Sequence, residues 1–222
     1  MAEVVDVRAR VLAANEEAAA LLRGRFAEAR ALVLNLISSP GSGKTTLLEA
    51  TVRAMGTRQR LAAIEGDIAT ERDADRLRML GIPAVQILTG GACHLDARQV
   101  RTAMDGARFA AFDILFIENV GNLICPTSYD LGEDFKVALL SVTEGDDKPF
   151  KYPAIFARAD VTLLTKTDLL PHVSFDLAAV HEQLATLNPK GLVVPTSART
   201  GEGIAEWCAL LERRLAAKRG AA

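Results

Sequence analysis

The chain has 222 residues, of which half are apolar, and a formal net charge of −2. A nucleic-acid-binding protein usually has a basic balance or a basic face, so this charge argues against a nucleic-acid partner. No stretch approaches the roughly 18 uncharged residues of a membrane span, and the first residues lack the apolar run of a signal peptide. Three cysteines are too few, and odd in number, for a disulfide framework. We therefore expect a cytoplasmic protein with reduced thiols and no membrane partner.

Extended and helical patterns alternate along the chain after one N-terminal helix at about residues 7–30. Strands are predicted at 31–38, 60–67, 84–88, 112–121, 137–145, 160–168 and 191–198, and helices at 45–55, 71–80, 94–104, 174–188 and 203–219. The run at 112–121 is continuously apolar, which suits a parallel strand buried on both faces. The pattern predicts a single α/β domain over residues 1–222, with a mostly parallel sheet flanked by helices.

Residues 38–45 read SSPGSGKT between a predicted strand and a predicted helix. They fit the phosphate-loop pattern G-x-x-x-x-G-K-[ST], except that Ser38 replaces the first glycine. Glycines let backbone N–H groups turn toward phosphate oxygens, and the helix adds its positive N-terminal end. Lys44, expected to be an exposed loop lysine, would reach the β- and γ-phosphates, and the Thr45 hydroxyl would bind Mg²⁺. The residues predicted to hold the nucleotide phosphates are Gly41, Ser42, Gly43, Lys44, Thr45 and Thr46.

Two strand ends carry carboxylates that could complete the metal side of a nucleotide site. Asp67 ends the predicted strand at 60–67 beside Glu65, and Glu118 follows the apolar run ILFI. Such carboxylates hold Mg²⁺ mostly through water, because Mg²⁺ loses its waters reluctantly. The alternative is an ordinary acidic cap after a strand. We predict that Lys44, Asp67 and Glu118 form the catalytic set, with Thr45, Asp67 and Glu118 around Mg²⁺.

Two later motifs indicate which base is bound. Residues 165–168 read TKTD, which resembles the N-K-x-D motif of GTPases with threonine in place of asparagine. Asp168 can accept hydrogen bonds from guanine N1–H and the exocyclic amine, and the Lys166 stem would lie over the base. Ser197 and Ala198 fit the companion S-A-x motif, in which the Ala198 N–H meets guanine O6. The two motifs in this order favour GTP and GDP over adenine nucleotides.

A second candidate site joins distant residues. Cys93 and His94 follow a glycine turn at the start of a predicted helix, and Cys125 lies seven residues after Glu118. Thiolate and imidazole ligands suit Zn²⁺ or Ni²⁺. Three ligands do not close a tetrahedral structural site, so the site would be exchangeable or shared across a dimer. The alternative is two small buried cysteines and a capping or solvated histidine.

These motifs together resemble the HypB family of P-loop GTPases, which belongs to the SIMIBI class and is related to UreG. The resemblance extends from the N-terminal helix to about residue 215. The matching segments are SSPGSGKTT, EGDIATERDADRL, TGGACHLDA, LFIENVGNLICP, EGDDKPFKYP and SARTGEG. UreG-like proteins carry a C-P-H tripeptide in the region where this chain has ACHLD, the HypB form.

The resemblance implies a slow GTPase that acts as a nickel metallochaperone in [NiFe]-hydrogenase maturation. It implies a GTP-promoted homodimer that binds Ni²⁺ or Zn²⁺ through Cys93, His94 and Cys125 near its interface. Hydrolysis would be coupled to metal release toward a HypA-like nickel chaperone and the hydrogenase large-subunit precursor. Lys148 would lie near the nucleotide across the dimer. The chain departs from some members in lacking an N-terminal C-x-x-C-G-C site and a histidine-rich tract.

Several alternatives remain open at this stage. One is a UreG-like GTPase that inserts nickel into urease. Another is a GTP-dependent dimerisation switch whose zinc is only structural. A nucleotide kinase shares the PGSGKT loop, although TKTD and SAR argue against it. No residue is an obvious strong general base, so hydrolysis would depend on positioning and electrostatics, with low intrinsic turnover.

Overall fold

A computed structural model describes residues 7–67, 72–106, 109 and 111–220 of the chain. Its centre is a seven-stranded sheet in the order β3-β2-β4-β1-β5-β6-β7. The strands are β1 Leu32–Ser38, β2 Leu61–Asp67, β3 Ala84–Leu88, β4 Ile114–Glu118, β5 Phe135–Ser141, β6 Val161–Thr165 and β7 Leu192–Pro195. Every pairing between neighbouring strands is parallel. The predicted α/β class with a parallel sheet is confirmed.

Helices cover both faces of this sheet. They are α1 Val7–Glu28, α2 Lys44–Met55, α3 Arg72–Met79, α4 Ala97–Gly106, α5 Lys148–Lys151, α6 Pro153–Arg158, α7 Leu177–Leu187 and α8 Ile204–Arg219. Alternate residues of each strand point to opposite faces. Leu32, Leu34 and Leu36 pack with α2, α3 and α8, whereas Val33 packs with α1 and α4. Helices α6 and α7 cover β5 and β6 on the same face as α1 and α4.

Short 3₁₀ turns replace the ends of two predicted strands. Strand β5 ends at Ser141 and continues as a 3₁₀ turn at Val142–Glu144. Strand β6 ends at Thr165, and Thr167–His172 forms a second turn. The predicted strand at 112–121 is also shorter, because β4 ends at Glu118. Each strand stops where the chain leaves the buried layer and enters the carboxyl edge of the sheet, where ligands of open α/β sheets bind.

The helix predicted at 94–104 begins later, at Ala97. The Asp96 side chain accepts a hydrogen bond from Gln99 N–H at 2.8 Å, and the Gln99 side chain accepts one from Asp96 N–H at 2.9 Å. This reciprocal pair is a capping box, which fixes the helix start. Cys93 and His94 therefore lie in the loop before α4. The predicted start of the next helix upstream, at Glu71, and the motif residues 68–71 lie outside the described residues.

No helix in the described part of the chain is both long and apolar enough to cross a membrane.

Candidate functional site

The phosphate loop lies at the carboxyl end of β1 and leads directly into α2. Gly41 and Gly43 have φ values of 77° and 94°, a left-handed conformation that glycine adopts without steric cost. Gly43 precedes the first residue of α2, so the free N–H groups of the helix open toward the loop. The strand–loop–helix context that the sequence predicts is present.

Lys44 is not the exposed lysine that the sequence predicts, because its side chain is only 8% exposed. The Lys44 Nζ donates to the Ser38 hydroxyl at 3.0 Å and lies 3.9 Å from Glu118 Oε1. Ser38, which takes the place of the first glycine, belongs to β1 and is fully buried. Its hydroxyl therefore has a defined role as the acceptor for the Lys44 ammonium.

Carboxyl groups line the phosphate cleft at the ends of β2 and β4. Glu65 and Glu118 are register neighbours across these two strands, and both are buried. The Thr45 hydroxyl lies 3.3 Å from Glu118 Oε1. Lys44, Thr45, Asp67 and Glu118 all line one cleft of about 450 Å³. The structure thus brings these four predicted residues together.

Burial changes the acidity of the two neighbouring carboxyls. It raises the pKa of Glu118, against the opposing charge of Lys44. It also holds the pKa of Glu65 well above its usual range, and the adjacent Glu118 adds to that rise. The Glu65 Oε1 atom has no hydrogen-bond partner. Unlike Glu65, the Glu118 carboxyl and the Thr45 hydroxyl line the cleft, and hard oxygen groups of this kind are the ligands that fit Mg²⁺.

Most of the residues predicted to read the base line a separate pocket of about 210 Å³. Its walls include Thr46, Lys166, Asp168 and Ala198. The Ser197 hydroxyl donates to Asp168 Oδ1 at 2.6 Å, and Asp168 Oδ2 lies 3.8 Å from the Arg199 guanidinium. The two guanine motifs predicted from the sequence therefore meet at one place.

Two contacts tie the base-reading segment to the phosphate loop. The Thr165 hydroxyl donates to the Ser42 carbonyl at 2.7 Å, and the Lys166 Nζ donates to the Gly41 carbonyl at 2.7 Å. Lys166 has a φ of 59°, a left-handed conformation that is uncommon outside glycine. This conformation lets its side chain cross the loop next to the base pocket.

The three predicted metal ligands also come together. One ligand atom each from Cys93, His94 and Cys125 lies within 4.8 Å of the others. The Cys93 Sγ and His94 Nδ1 atoms are 3.5 Å apart, close to the roughly 3.6 Å that tetrahedral bonds of 2.3 and 2.1 Å imply. Each of the three side chains is half-buried. His94 and Cys125 line an adjacent cavity. The site can hold a metal ion with at least one open coordination position.

The ligands differ in the protonation state that their surroundings favour. Burial lowers the pKa of His94, against the opposing charge of Asp96. The neutral imidazole, which is the form that binds metal, is therefore favoured. A hydrogen bond with Cys125, together with burial, raises the pKa of Cys93. An incoming metal must displace that proton.

Two side chains outside the predicted ligand set hold the loop of Cys93 and His94 in place. Asn119, fully buried directly after Glu118, accepts a hydrogen bond from the Leu95 N–H at 2.9 Å. The Tyr129 ring packs on the His94 ring with a centroid separation of 3.9 Å. Only the position of Asn119 next to Glu118 offered a sequence signal, since its partner is 24 residues away.

A family model described as the CobW/HypB/UreG nucleotide-binding domain matches residues 32–195 of the chain. A protein named hydrogenase maturation factor HypB from Azotobacter vinelandii is 53% identical over 204 residues, covering 92% of this chain and 67% of the relative. A hydrogenase/urease maturation factor HypB from Helicobacter pylori is 40% identical over 208 residues, covering 91% of this chain and 85% of the relative.

A solved structure has the same architecture. The crystal structure of HypB from Helicobacter pylori in complex with nickel aligns with a TM-score of 0.87 at 40% identity, covering 90% of this chain and 94% of that one. This similarity agrees with the family model and with the P-loop geometry. The predicted P-loop NTPase fold is therefore confirmed.

Proposed function

The chain belongs to the HypB branch of the CobW/HypB/UreG family, and on that premise we propose that it is a GTP-hydrolysing nickel metallochaperone. It would act in the cytoplasm, where thiols stay reduced, and assist nickel insertion into a [NiFe]-hydrogenase. The observation that carries the proposal is the meeting of Cys93, His94 and Cys125 within 4.8 Å, beside a strand that also ends in the phosphate cleft.

The nucleotide half of the proposal rests on the phosphate cleft. Lys44 leaves its Ser38 hydroxyl partner and meets the β- and γ-phosphates, while the loop N–H groups hold their oxygens. Thr45, Asp67 and Glu118 would hold Mg²⁺, which would neutralise charge on the transferred phosphoryl group. These side chains bind and orient the nucleotide. Since none is poised as a strong base, turnover without partners is well below the roughly 1–100 per second of kinases.

Guanine selectivity comes from Asp168. One carboxylate oxygen is engaged by the Ser197 hydroxyl, so the group is oriented before the base arrives. Guanine N1–H and its exocyclic amine supply donors to this carboxylate, whereas adenine offers no such pair. An adenine nucleotide would leave a carboxylate with unpaired acceptors, which costs about 1–3 kcal/mol or more.

The metal is the cargo of this protein. Sulfur and nitrogen ligands suit Ni²⁺ or Zn²⁺, and three ligands with an adjoining cavity leave room for transfer to another protein. The nucleotide and metal sites are linked through Asn119, which follows Glu118 in sequence and binds the Leu95 N–H beside His94. A shift of the β4 end on hydrolysis would therefore move the loop that carries Cys93 and His94.

We further propose a GTP-promoted homodimer with the metal site near its interface. Ile124, next to Cys125, is 66% exposed, as is Phe150, so both apolar side chains are accessible to a second copy. Lys148 at the start of α5 would approach the nucleotide of the second copy. The receiving partners are a HypA-like nickel chaperone and the hydrogenase large-subunit precursor.

Phosphate release from GTP and from ATP at equal concentration tests the enzymatic claim. We expect slow release from GTP, little from ATP, and loss of the GTP reaction in Glu118→Gln. Rapid turnover of many per second, or transfer of the phosphate to a second small substrate, would contradict the proposal. Size measurements of the same protein in GDP and in a non-hydrolysable GTP analogue test the dimer, which should form preferentially with the analogue.

A further inference from the structure

We propose that Asn15 of α1 is a positioning residue for the metal site, because its side chain joins the two chain segments that carry the three ligands. This inference rests on the proposed function of Cys93, His94 and Cys125. Asn15 lies in the middle of an N-terminal helix, far in sequence from all three ligands, and its two hydrogen bonds go to other residues.

The two hydrogen bonds of the Asn15 amide connect both segments. Its Oδ1 accepts from the Ala97 N–H at 2.8 Å, three residues after His94. Its Nδ2 donates to the Asp130 carbonyl at 2.8 Å, five residues after Cys125. The partners dictate the amide orientation, since one is a donor and the other an acceptor. Asn15 is only 2% exposed, so water does not substitute for either partner.

The contact at Ala97 fixes the start of α4. The first N–H groups of a helix have no partner within the helix. Here the Leu95 N–H is bound by Asn119, the Asp96 N–H by Gln99 and the Ala97 N–H by Asn15. Two of these three supports come from other elements. The loop with Cys93 and His94 is thus anchored on one side to Asn119, directly after β4, and on the other side to α1.

The contact at Asp130 fixes the segment after Cys125. Cys125–Ser128 forms a 3₁₀ turn, and the next residue, Tyr129, packs on the His94 ring. Holding the Asp130 carbonyl therefore holds the backbone that places both Cys125 and the ring facing His94. Helix α1 fits closely there, because a Cβ on Gly132 would lie 2.8 Å from Leu22 Cβ.

The same helix also reaches the metal cavity itself. Leu12, one turn before Asn15, lines the cavity together with His94 and Cys125. A change in the position of α1 would therefore alter both the spacing of the ligand segments and one wall of the cavity. Residues that orient metal ligands from outside the coordination sphere commonly change metal affinity by about 10- to 100-fold when they are replaced.

The test compares Ni²⁺ binding by Asn15→Asp, Asn15→Leu and Arg23→Ala with that of the unchanged chain. Aspartate can still accept from Ala97 N–H but faces the Asp130 carbonyl with an oxygen, whereas leucine loses both bonds. Arg23 is the matched control, because it contacts the Asp130 carboxylate from the same helix at an exposed position. The readouts are Ni²⁺ affinity, the thiolate-to-nickel absorption band, GDP affinity and the unfolding temperature.

We expect both Asn15 variants to lose about 10-fold or more in Ni²⁺ affinity, with a shifted or weakened thiolate band and unchanged GDP affinity. Arg23→Ala should bind Ni²⁺ like the unchanged chain. Equal affinity and an equal band in Asn15→Asp and Arg23→Ala would overturn the inference, as would a parallel loss of GDP binding, which indicates a general folding role. If the unchanged chain itself gives no thiolate band, the proposed metal function fails, which is a distinguishable result.

Discussion

The hydroxyl of Thr165 donates a hydrogen bond to the backbone carbonyl of Ser42, 2.7 Å away. This contact joins the end of β6, which we propose reads the base, to the loop that we propose holds the phosphates. Thr165 is 5% exposed, so the bond is shielded from water. Threonine at the position of the usual asparagine therefore retains a side-chain donor that can fix the two loops relative to each other.

Replacing Thr165 by valine tests this link. Valine keeps the shape but leaves the Ser42 carbonyl without its donor, at a cost of about 1 kcal/mol. We expect GTP and GDP affinity to fall about fivefold, as measured by titration with a fluorescent nucleotide. Thr165→Ser, which keeps the hydroxyl, is the control and should bind nearly normally. Equal affinity of the valine and serine variants would show that the link does not organise the site.

Asp168→Asn should change which nucleotide is bound. The amide presents a donor where the carboxylate presented an acceptor, so it no longer matches both guanine donors but suits the carbonyl of xanthine. We expect GTP affinity to fall by about 10-fold or more, the equivalent of one lost charged hydrogen bond, while xanthosine triphosphate binds better than GTP. Competition titrations with both nucleotides measure the switch. Undiminished GTP binding would remove Asp168 from the base pocket.

Lys44→Ala should abolish nucleotide binding and leave the fold intact. The variant removes the ammonium that lies between the Ser38 hydroxyl and Glu118. Because burial already raises the pKa of Glu118 and of Glu65, the carboxyl pair can take up a proton instead of remaining as unpaired charge. Nucleotide titration and circular dichroism on heating measure the two effects. An unfolded variant would mean that Lys44 is a structural residue.

The ion pairs of Asp113 with Arg60 and Arg219 should make the free energy of unfolding depend on pH. Asp113 precedes β4 and accepts hydrogen bonds from Arg60 and Arg219 at 2.8 and 2.6 Å. The hydrogen bonds from Arg60 make the largest contribution to lowering the pKa of Asp113 in the folded chain. A carboxyl whose pKa is lowered by folding stabilises the folded chain fully at pH values above its unfolded pKa of about 3.9. This stability is lost as the pH falls toward the pKa of the folded chain.

Asp113→Asn should therefore unfold at a lower urea concentration than the unchanged chain at pH 7. We expect its free energy of unfolding to be smaller by about 1 kcal/mol or more. The difference should shrink as the pH is lowered from about 5 toward 2, because the unchanged chain then protonates Asp113. Asp105→Asn serves as a control, since its carboxylate is 63% exposed and such pairs add little stability. A difference that is constant across this pH range would contradict the linkage.

Much of the fold was predictable because its strands are unusually apolar. The residues of β1, β4 and β6 are buried along their whole length, and such runs identify central parallel strands without any periodicity. The phosphate loop was predictable for a similar reason, since its glycines and lysine lie within the four residues 41–44. The short helices α5 and α6 were not predicted, because four and six residues carry too little periodicity.

The candidate metal site was predictable only as a set of residue types. The sequence identified Cys93, His94 and Cys125, but their meeting depends on the sheet order β3-β2-β4, since Cys93 and His94 follow β3 and Cys125 follows β4. The supports of the site were not predictable, because their partners are remote. Asn15 and Asp130 are 115 positions apart, and a single asparagine in a helix has no local sequence signal.

Nickel binding in different nucleotide states tests the central claim most directly. Ni²⁺ would be titrated into the protein in GDP and in a non-hydrolysable GTP analogue, with thiolate-to-nickel absorbance as the readout. Cys125→Ala removes one proposed ligand, and Cys208→Ala is the matched control, since Cys208 is buried in α8. We predict a band that depends on Cys125, persists without Cys208, and differs about fivefold or more in Ni²⁺ affinity between nucleotides. The absence of a thiolate band, or a band with the same affinity in both nucleotide states, would contradict a nucleotide-controlled metal site.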